Sequence, residues 1–222
     1  MHRVGEAEVD AECAYLLACI PDNGMVVSLL EGILKSPNVL AGLSRESYWH
    51  PLGFIKIVLP PLHQGLIYRL HYWPPSSSFA EDVHSHRSDF ASRVVDGKLV
   101  VNRYELVAGN SSSLISYQSM PSGEVSARFV GTTDVREISS KIYEHGGAYF
   151  CSRDELHRVI VSDGGAVTIS VWDVRTVPAI VVKGAGDPVD TCCGRGECSE
   201  MEIREVLSDV ISRMQNRDHR PR

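Results

Sequence analysis

DVHSHRSDFASRVVDGKL, residues 82–99, carries two histidines, His84 and His86, separated by a single residue. Side chains two positions apart on a β-strand share a face, so both imidazoles point the same way and lie close enough to hold one divalent ion. Gly97 follows His86 after eleven residues and is preceded by Val94, Val95 and Asp96. That pattern predicts a strand over 90–95, a tight Asp-Gly turn and another strand over 98–104. A histidine pair followed by a hairpin is how a small β-barrel presents a metal in its mouth.

A third ligand is needed, and YFCSRDELHRVIVSDGGAVTISVW, residues 149–172, supplies a candidate in His157. His157 opens a β-branched run, an Asp-Gly-Gly turn follows, and residues 166–172 alternate as a strand. Further strands are expected over 54–59, 66–73, 114–117, 125–130 and 135–143, with a loop through the Gly-Ser-rich residues 109–113. Short strands at this spacing, separated by turn residues, mean an all-β barrel or sandwich, and about ten strands fit a double-sheet jelly roll.

The early histidine pair and late single histidine together resemble the cupin superfamily. The Glu that often follows the first motif there is not at its usual distance after His86. A three-histidine site without it resembles the thiol dioxygenase branch, whose type member is cysteine dioxygenase. The segments LHRV and AVTISVW are similar to that branch's second motif, and the resemblance spans about residues 54–175. It implies a cupin-type barrel whose metal is held by His84, His86 and His157, with Fe(II) as the metal and O2 as co-substrate. The branch carries Tyr-x-Arg on an early strand, whose Arg grips the substrate carboxylate. Here the matching residues are Phe54, Ile55 and Lys56, and an ammonium lacks the bidentate fork of a guanidinium. Its late strand presents Ser-x-His-x-Tyr, where this chain has Thr168, Ser170 and Trp172. The scaffold matches and the pocket does not, which argues against cysteine as substrate. Lys56, Thr168, Ser170 and Trp172 are the expected catalytic positions. Arg69 and His71 on the strand before the pair, Phe90 and Ser92 after it, and Tyr149 ahead of His157 are the expected substrate contacts. Arg87 and Arg158 directly follow ligands and are expected to point away from the metal.

Chain length permits a sizeable core: 222 residues, with hydrophobic residues at 43%. A formal net charge of −6 without a basic cluster argues against nucleic acid as a partner. No apolar run approaches the roughly 18 residues that span a bilayer, and the acidic N-terminus lacks a signal core. The expectation is a cytoplasmic protein whose six cysteines are reduced thiols and for which a homodimer is compatible. Three segments are expected: helical residues 1–53, a barrel over 54–182, and a Gly/Cys-rich loop with a C-terminal helix over 183–222. Two short helices are read over 9–35, ended by Ser36-Pro37, with a connector over 39–53. Ser199 and Glu202 form a capping box for a helix over 200–214, and the last residues are expected to fray. Cys192, Cys193 and Cys198 fall short of the four ligands of a structural zinc site and read as a plain Gly-rich loop.

These observations lead to the expectation of a mononuclear non-haem Fe(II) oxygenase acting on a small, non-cysteine metabolite. Three neutral imidazoles suit Zn, Ni and Cu as well as iron, and Mn is a further divalent alternative. The alternatives are a non-redox isomerase or lyase that uses its metal as a Lewis acid, and a non-catalytic ligand-binding barrel.

Overall fold

The computed structural model describes residues 6–50, 53–75, 79–119, 125–173, 177–184, 187 and 196–218. In chain order these begin with three helices, α1 (Glu6–Ala18), α2 (Asn23–Leu34) and α3 (Pro37–Glu46). The strands β1 (Tyr48–Trp49), β2 (Ile55–Leu59), β3 (Ile67–Trp73), β4 (Phe79–Ala80), β5 (Val83–His84) and β6 (Phe90–Ser119) come next. They are followed by β7 (Val125–Glu144), β8 (Ala148–Cys151), β9 (Leu156–Trp172), β10 (Ala179–Gly184), β11 (Gly196–Glu197) and the closing helix α4 (Glu200–Asp218). The protein is mainly β, as its turn spacing implies.

β9 is the strand on which the sheet closes. Its second half pairs with β3 on one edge and with the start of β6 on the other. Its first half pairs with the middle of β6, with β4 and, through His157 opposite His84, with β5. β10 bridges β5 to the far part of β6, so β9, β5, β10 and β6 form a ring. All these pairings are antiparallel, and the result is a closed β-barrel with its helices outside.

The period-2 rule then sorts the side chains. Ile55, Ile57 and Leu59 of β2, Tyr68, Leu70 and Tyr72 of β3, and Val167, Ile169 and Val171 of β9 join the outer core. Leu30 and Ile33 of α2, Leu40 and Leu43 of α3, and Ile203, Leu207 and Val210 of α4 cover them. The alternate residues turn inward. Phe54, Trp73, Phe90, Tyr149, Val159 and Trp172 line the inner core, and Lys56, Arg69 and His71 face the cavity described below. α4 is fixed by the expected capping box, with Ser199 and Glu202 exchanging hydrogen bonds at 2.8–3.2 Å. It is also pinned where Asp96 receives Arg213 and Arg217.

Several local expectations are corrected. Asp96-Gly97 is not a hairpin turn, and neither is the Asp-Gly-Gly run at 163–165: β6 and β9 continue through both. Pairing slips between Val94 and Asp96 and between Gly97 and Leu99, which makes each glycine site a bulge where the two strands bend together. Gly97 and Gly165 have φ of +77° and +71°, and a Cβ on Gly97 would meet the Gly165 carbonyl oxygen. A turn and a bulge both ask for glycine at positive φ, so the sequence alone did not separate them. Gly97→Ala is expected to cost about 1–2 kcal/mol in backbone strain alone, more with the clash. A Tm lowered by several degrees in a thermal melt would show it, and an unchanged Tm would count against the bulge.

Residues 109–113 likewise lie within β6 instead of a loop, and 125–130 and 135–143 are one strand, β7. Ser36-Pro37 ends α2 but also starts α3, because proline suits the first turn of a helix. The expected connector over 39–53 is therefore half helix. Fraying is expected over 215–222, but α4 runs to Asp218, so 215–218 are helical; residues 219–222 and the loop role of Cys192 and Cys193 lie outside the described residues. Cys198 is buried beside the helix start, and its thiol is pushed up to about 11 by burial first and then by Glu202.

α1 lies against β6, β8 and β9. There the Glu12 carboxyl is raised from an ordinary 4.5 to about 7, first by burial and then by Asp89 and Asp173. A carboxyl that holds its proton more tightly when folded lowers stability as pH rises from about 4.5 to about 7. Glu12→Gln is expected to raise Tm at pH 8 and leave it unchanged at pH 4. Equal effects at both pH values would assign the gain to something other than ionisation.

Candidate metal centre and cavity

Three elements bring the histidines together. His84 ends β5 and sits in register opposite His157 on β9. His86 lies two residues past His84, beyond the end of β5, and still folds back onto the pair. The strand alternation that suggested the pair therefore holds for His84 alone, and the chain after β5 positions His86. The nitrogens of His84, His86 and His157 all lie within 4.8 Å of one another, and His86 Nε2 is 3.3 Å from His157 Nε2. Two nitrogens bound side by side to one ion at about 2.0–2.1 Å each are separated by roughly 3 Å, so this spacing fits a shared metal.

The ring roles follow from their other contacts. His84 Nδ1 is 2.8 Å from the Asp82 carbonyl oxygen, so it donates there and leaves Nε2 for a metal. His157 Nδ1 is 3.2 Å from the Cys151 sulfur, which again turns Nε2 toward the cluster. His86 meets Phe90 and Trp172 edge-on, with ring centroids 4.8 Å away in each case. Burial first, and the neighbouring His84 next, push His86 and His157 well below the ordinary imidazole value. Neutral imidazole is the ligating form, so the environment keeps both rings ready for a metal.

A cavity of about 250 Å³ opens beside the cluster. All three histidines line it, together with Lys56, Arg69, His71, Phe90, Tyr149 and Trp172 from the expected set. Trp172 stacks on Phe90 at 4.2 Å, and the Arg69 guanidinium lies 4.3 Å from the centre of the Trp172 ring. Thr168, Ser170 and Ser92 share the inward face but do not reach the cavity. Ser170 Oγ accepts from Trp172 Nε1 at 2.7 Å, and Ser92 donates to the Ile169 carbonyl. Thr168 is 1% exposed and packs opposite His71 and Val94. These three are supports under the cavity, because bulky neighbours on the same face fill the space above them. Arg87, expected to point away, lines the cavity, whereas Arg158 lies over the Tyr104 ring.

Glu81 was missed from the sequence. It is 8% exposed, lines the cavity, and places Oε2 4.0 Å from His84 Nε2. Its backbone N–H donates to the Val159 carbonyl and its carboxylate accepts from Val159 N–H, which locks it in place. Burial raises its pKa against the opposing pull of His84 and Lys56. The only sequence signal was an acid three residues before a histidine, which surface loops also show. Two other acids of the motif are engaged elsewhere, Asp82 with Lys183 at 2.5 Å and Asp89 with Arg153.

No family model matches the chain, and no curated protein matches it. Among solved structures, a protein from Thermus thermophilus is similar at 19% identity over 60% of this chain and 94% of that one, with a TM-score of 0.35. Hydroquinone 1,2-dioxygenase PnpCD, crystallised with Cd2+ and 4-hydroxybenzonitrile, is similar at 13% identity over 53% of this chain and 63% of its own, with a TM-score of 0.34. Hydroxypropylphosphonic acid epoxidase from S. wedmorenis is similar at 11% identity over 54% of this chain and 50% of that one, with a TM-score of 0.32. These are faint likenesses, and nothing about chemistry follows from them. This chain's own pairing and residues give an antiparallel β-barrel with three imidazoles gathered on the wall of an aromatic cavity.

Proposed function

We propose that the protein is a mononuclear non-haem Fe(II) oxygenase acting with O2 on a small metabolite other than cysteine. The observation that carries this reading is the convergence of His84, His86 and His157 on the wall of one cavity, with one nitrogen of each within 4.8 Å of the other two. Iron bound there would supply the redox chemistry and the binding of dioxygen. The chain's own residues do the rest. Asp82 and Cys151 hold the His84 and His157 rings in the ligating tautomer. Phe90 and Trp172 exclude water from the face of His86, and Lys56 and Arg69 add positive charge to the cavity wall.

Metal analysis after anaerobic purification tests the reading. Iron together with substrate-dependent oxygen uptake supports it, whereas zinc with no oxygen uptake would favour a Lewis-acid isomerase or lyase. Free cysteine is a specific control. Its turnover is expected to be at least about a hundred-fold slower than that of a true substrate, a loss of roughly 3 kcal/mol in transition-state binding. The basis is that Ser170 and Thr168 are buried supports and Trp172 fills the remaining position on that face. Rapid sulfinate formation from cysteine would overturn this.

A further inference from the structure

We propose that the cavity takes a small aromatic carboxylate, its anionic group held by Lys56, Trp73 and His71 and its ring lodged among Phe54, Phe90 and Trp172. The proposal rests on the reading of the barrel as a small-molecule site and goes beyond it by naming the class of ligand.

The polar half of the argument is a surplus of donors and positive charge. Lys56 and His71 are register partners on β2 and β3 and both face the cavity. Arg69 brings a guanidinium from the next inward position of β3. Against these stands Glu81 as the lining acid not already bound by a salt bridge to a lysine, and its carboxylate is held by Val159 and lies on the His84 side. Trp73 Nε1 and His71 Nε2 are buried and find no hydrogen-bond partner among the described residues. An indole N–H can only donate, and a buried donor left unmade costs about 1–3 kcal/mol. Two buried nitrogens that find no partner, set beside the Lys56 ammonium, are the complement of a carboxylate, whose two oxygens accept up to four hydrogen bonds.

The apolar half is aromatic. Phe54 packs against Trp73 at 4.9 Å and against His71 at 5.4 Å, directly beside the donors. Phe90 and Trp172 form the stacked pair next to His86. Rings set in this way favour a flat π-system, by about 0.5–1.5 kcal/mol per pair beyond area burial. A cavity of about 250 Å³ limits the ligand to a single ring with a short arm.

The test is binding of benzoate, benzamide and cyclohexanecarboxylate to the full chain, followed by calorimetry and by the fluorescence of Trp73 and Trp172. It is run on metal-free and on zinc-loaded protein. Benzoate is expected to bind roughly ten-fold or more tighter than either analogue, the worth of one charge-assisted contact or one ring pair. Lys56→Met should weaken benzoate at least about ten-fold and leave benzamide unchanged. Trp73→Phe keeps the ring, removes the orphan N–H and should weaken benzoate by several-fold, with circular dichroism confirming the fold. Benzamide binding as well as benzoate would overturn the anion site, cyclohexanecarboxylate binding as well would overturn the aromatic slot, and no binding of benzoate would overturn both. A protein that binds benzoate but no metal would leave this inference standing and defeat the oxygenase reading.

Discussion

His157→Ala is expected to abolish stoichiometric metal binding while the barrel stays folded. His157 is the most deeply buried of the three ligands at 1% exposure, and its Nε2 lies 3.3 Å from that of His86. Four-ligand structural zinc sites are worth about 10–16 kcal/mol, so one ligand of three carries roughly 3 kcal/mol or more, a hundred-fold or greater loss of affinity. The fold should survive because the helix-covered face of the sheet holds the larger aliphatic core and His157 belongs to none of the three apolar clusters. The truncation leaves a void, so His157→Gln, which keeps more of the volume, is the companion variant. His84→Ala and His86→Ala should behave alike. Metal content by mass spectrometry, beside a thermal melt, reads both effects. A folded variant with full metal would remove that histidine from the ligand set.

The barrel and the histidine triad were legible because they rest on rules that act locally. Strand periodicity places Arg69 and His71 on one face of β3 whatever its partners, and β-branched runs mark β2, β3 and β9. What was hidden depends on which strands meet. Gly97 and Gly165 read as hairpin turns, since the need for positive φ is the same in a turn and in a bulge, and only the pairing of Gly97 with Ala166 separates the two. Ser170 and Trp172 share a face, yet one is a buried support and the other a cavity wall, because side-chain size decides which reaches the opening. Glu81 became part of the site through its backbone pairing with Val159, a contact across 78 residues of chain that no spacing pattern announces.

Lys56→Met is expected to raise the KM for an acidic substrate by roughly ten- to a hundred-fold, the worth of a charge-assisted hydrogen bond, with metal content unchanged. Burial pushes Lys56 below the ordinary lysine value, and Arg69 adds to that, while Tyr48 and Glu81 act the other way. Its ammonium lies 5.4 Å from the centre of the Tyr48 ring. Tyr48 and Glu81 therefore satisfy it in part. An ammonium held on an inward strand face beside a guanidinium is nonetheless costly, and a bound anion would offset that cost. Two consequences separate this role from a merely structural one. First, an uncharged, unbranched methionine removes a costly buried charge, so Tm should stay level or rise even as KM worsens. Second, the charged form is lost as pH rises through a pKa depressed below 10.5, so wild-type KM should climb at alkaline pH before an ordinary lysine would titrate, and the Met variant should not show that climb. A variant that lost stability together with affinity, or that kept the wild-type pH profile of KM, would place Lys56 in the scaffold and not in the substrate site.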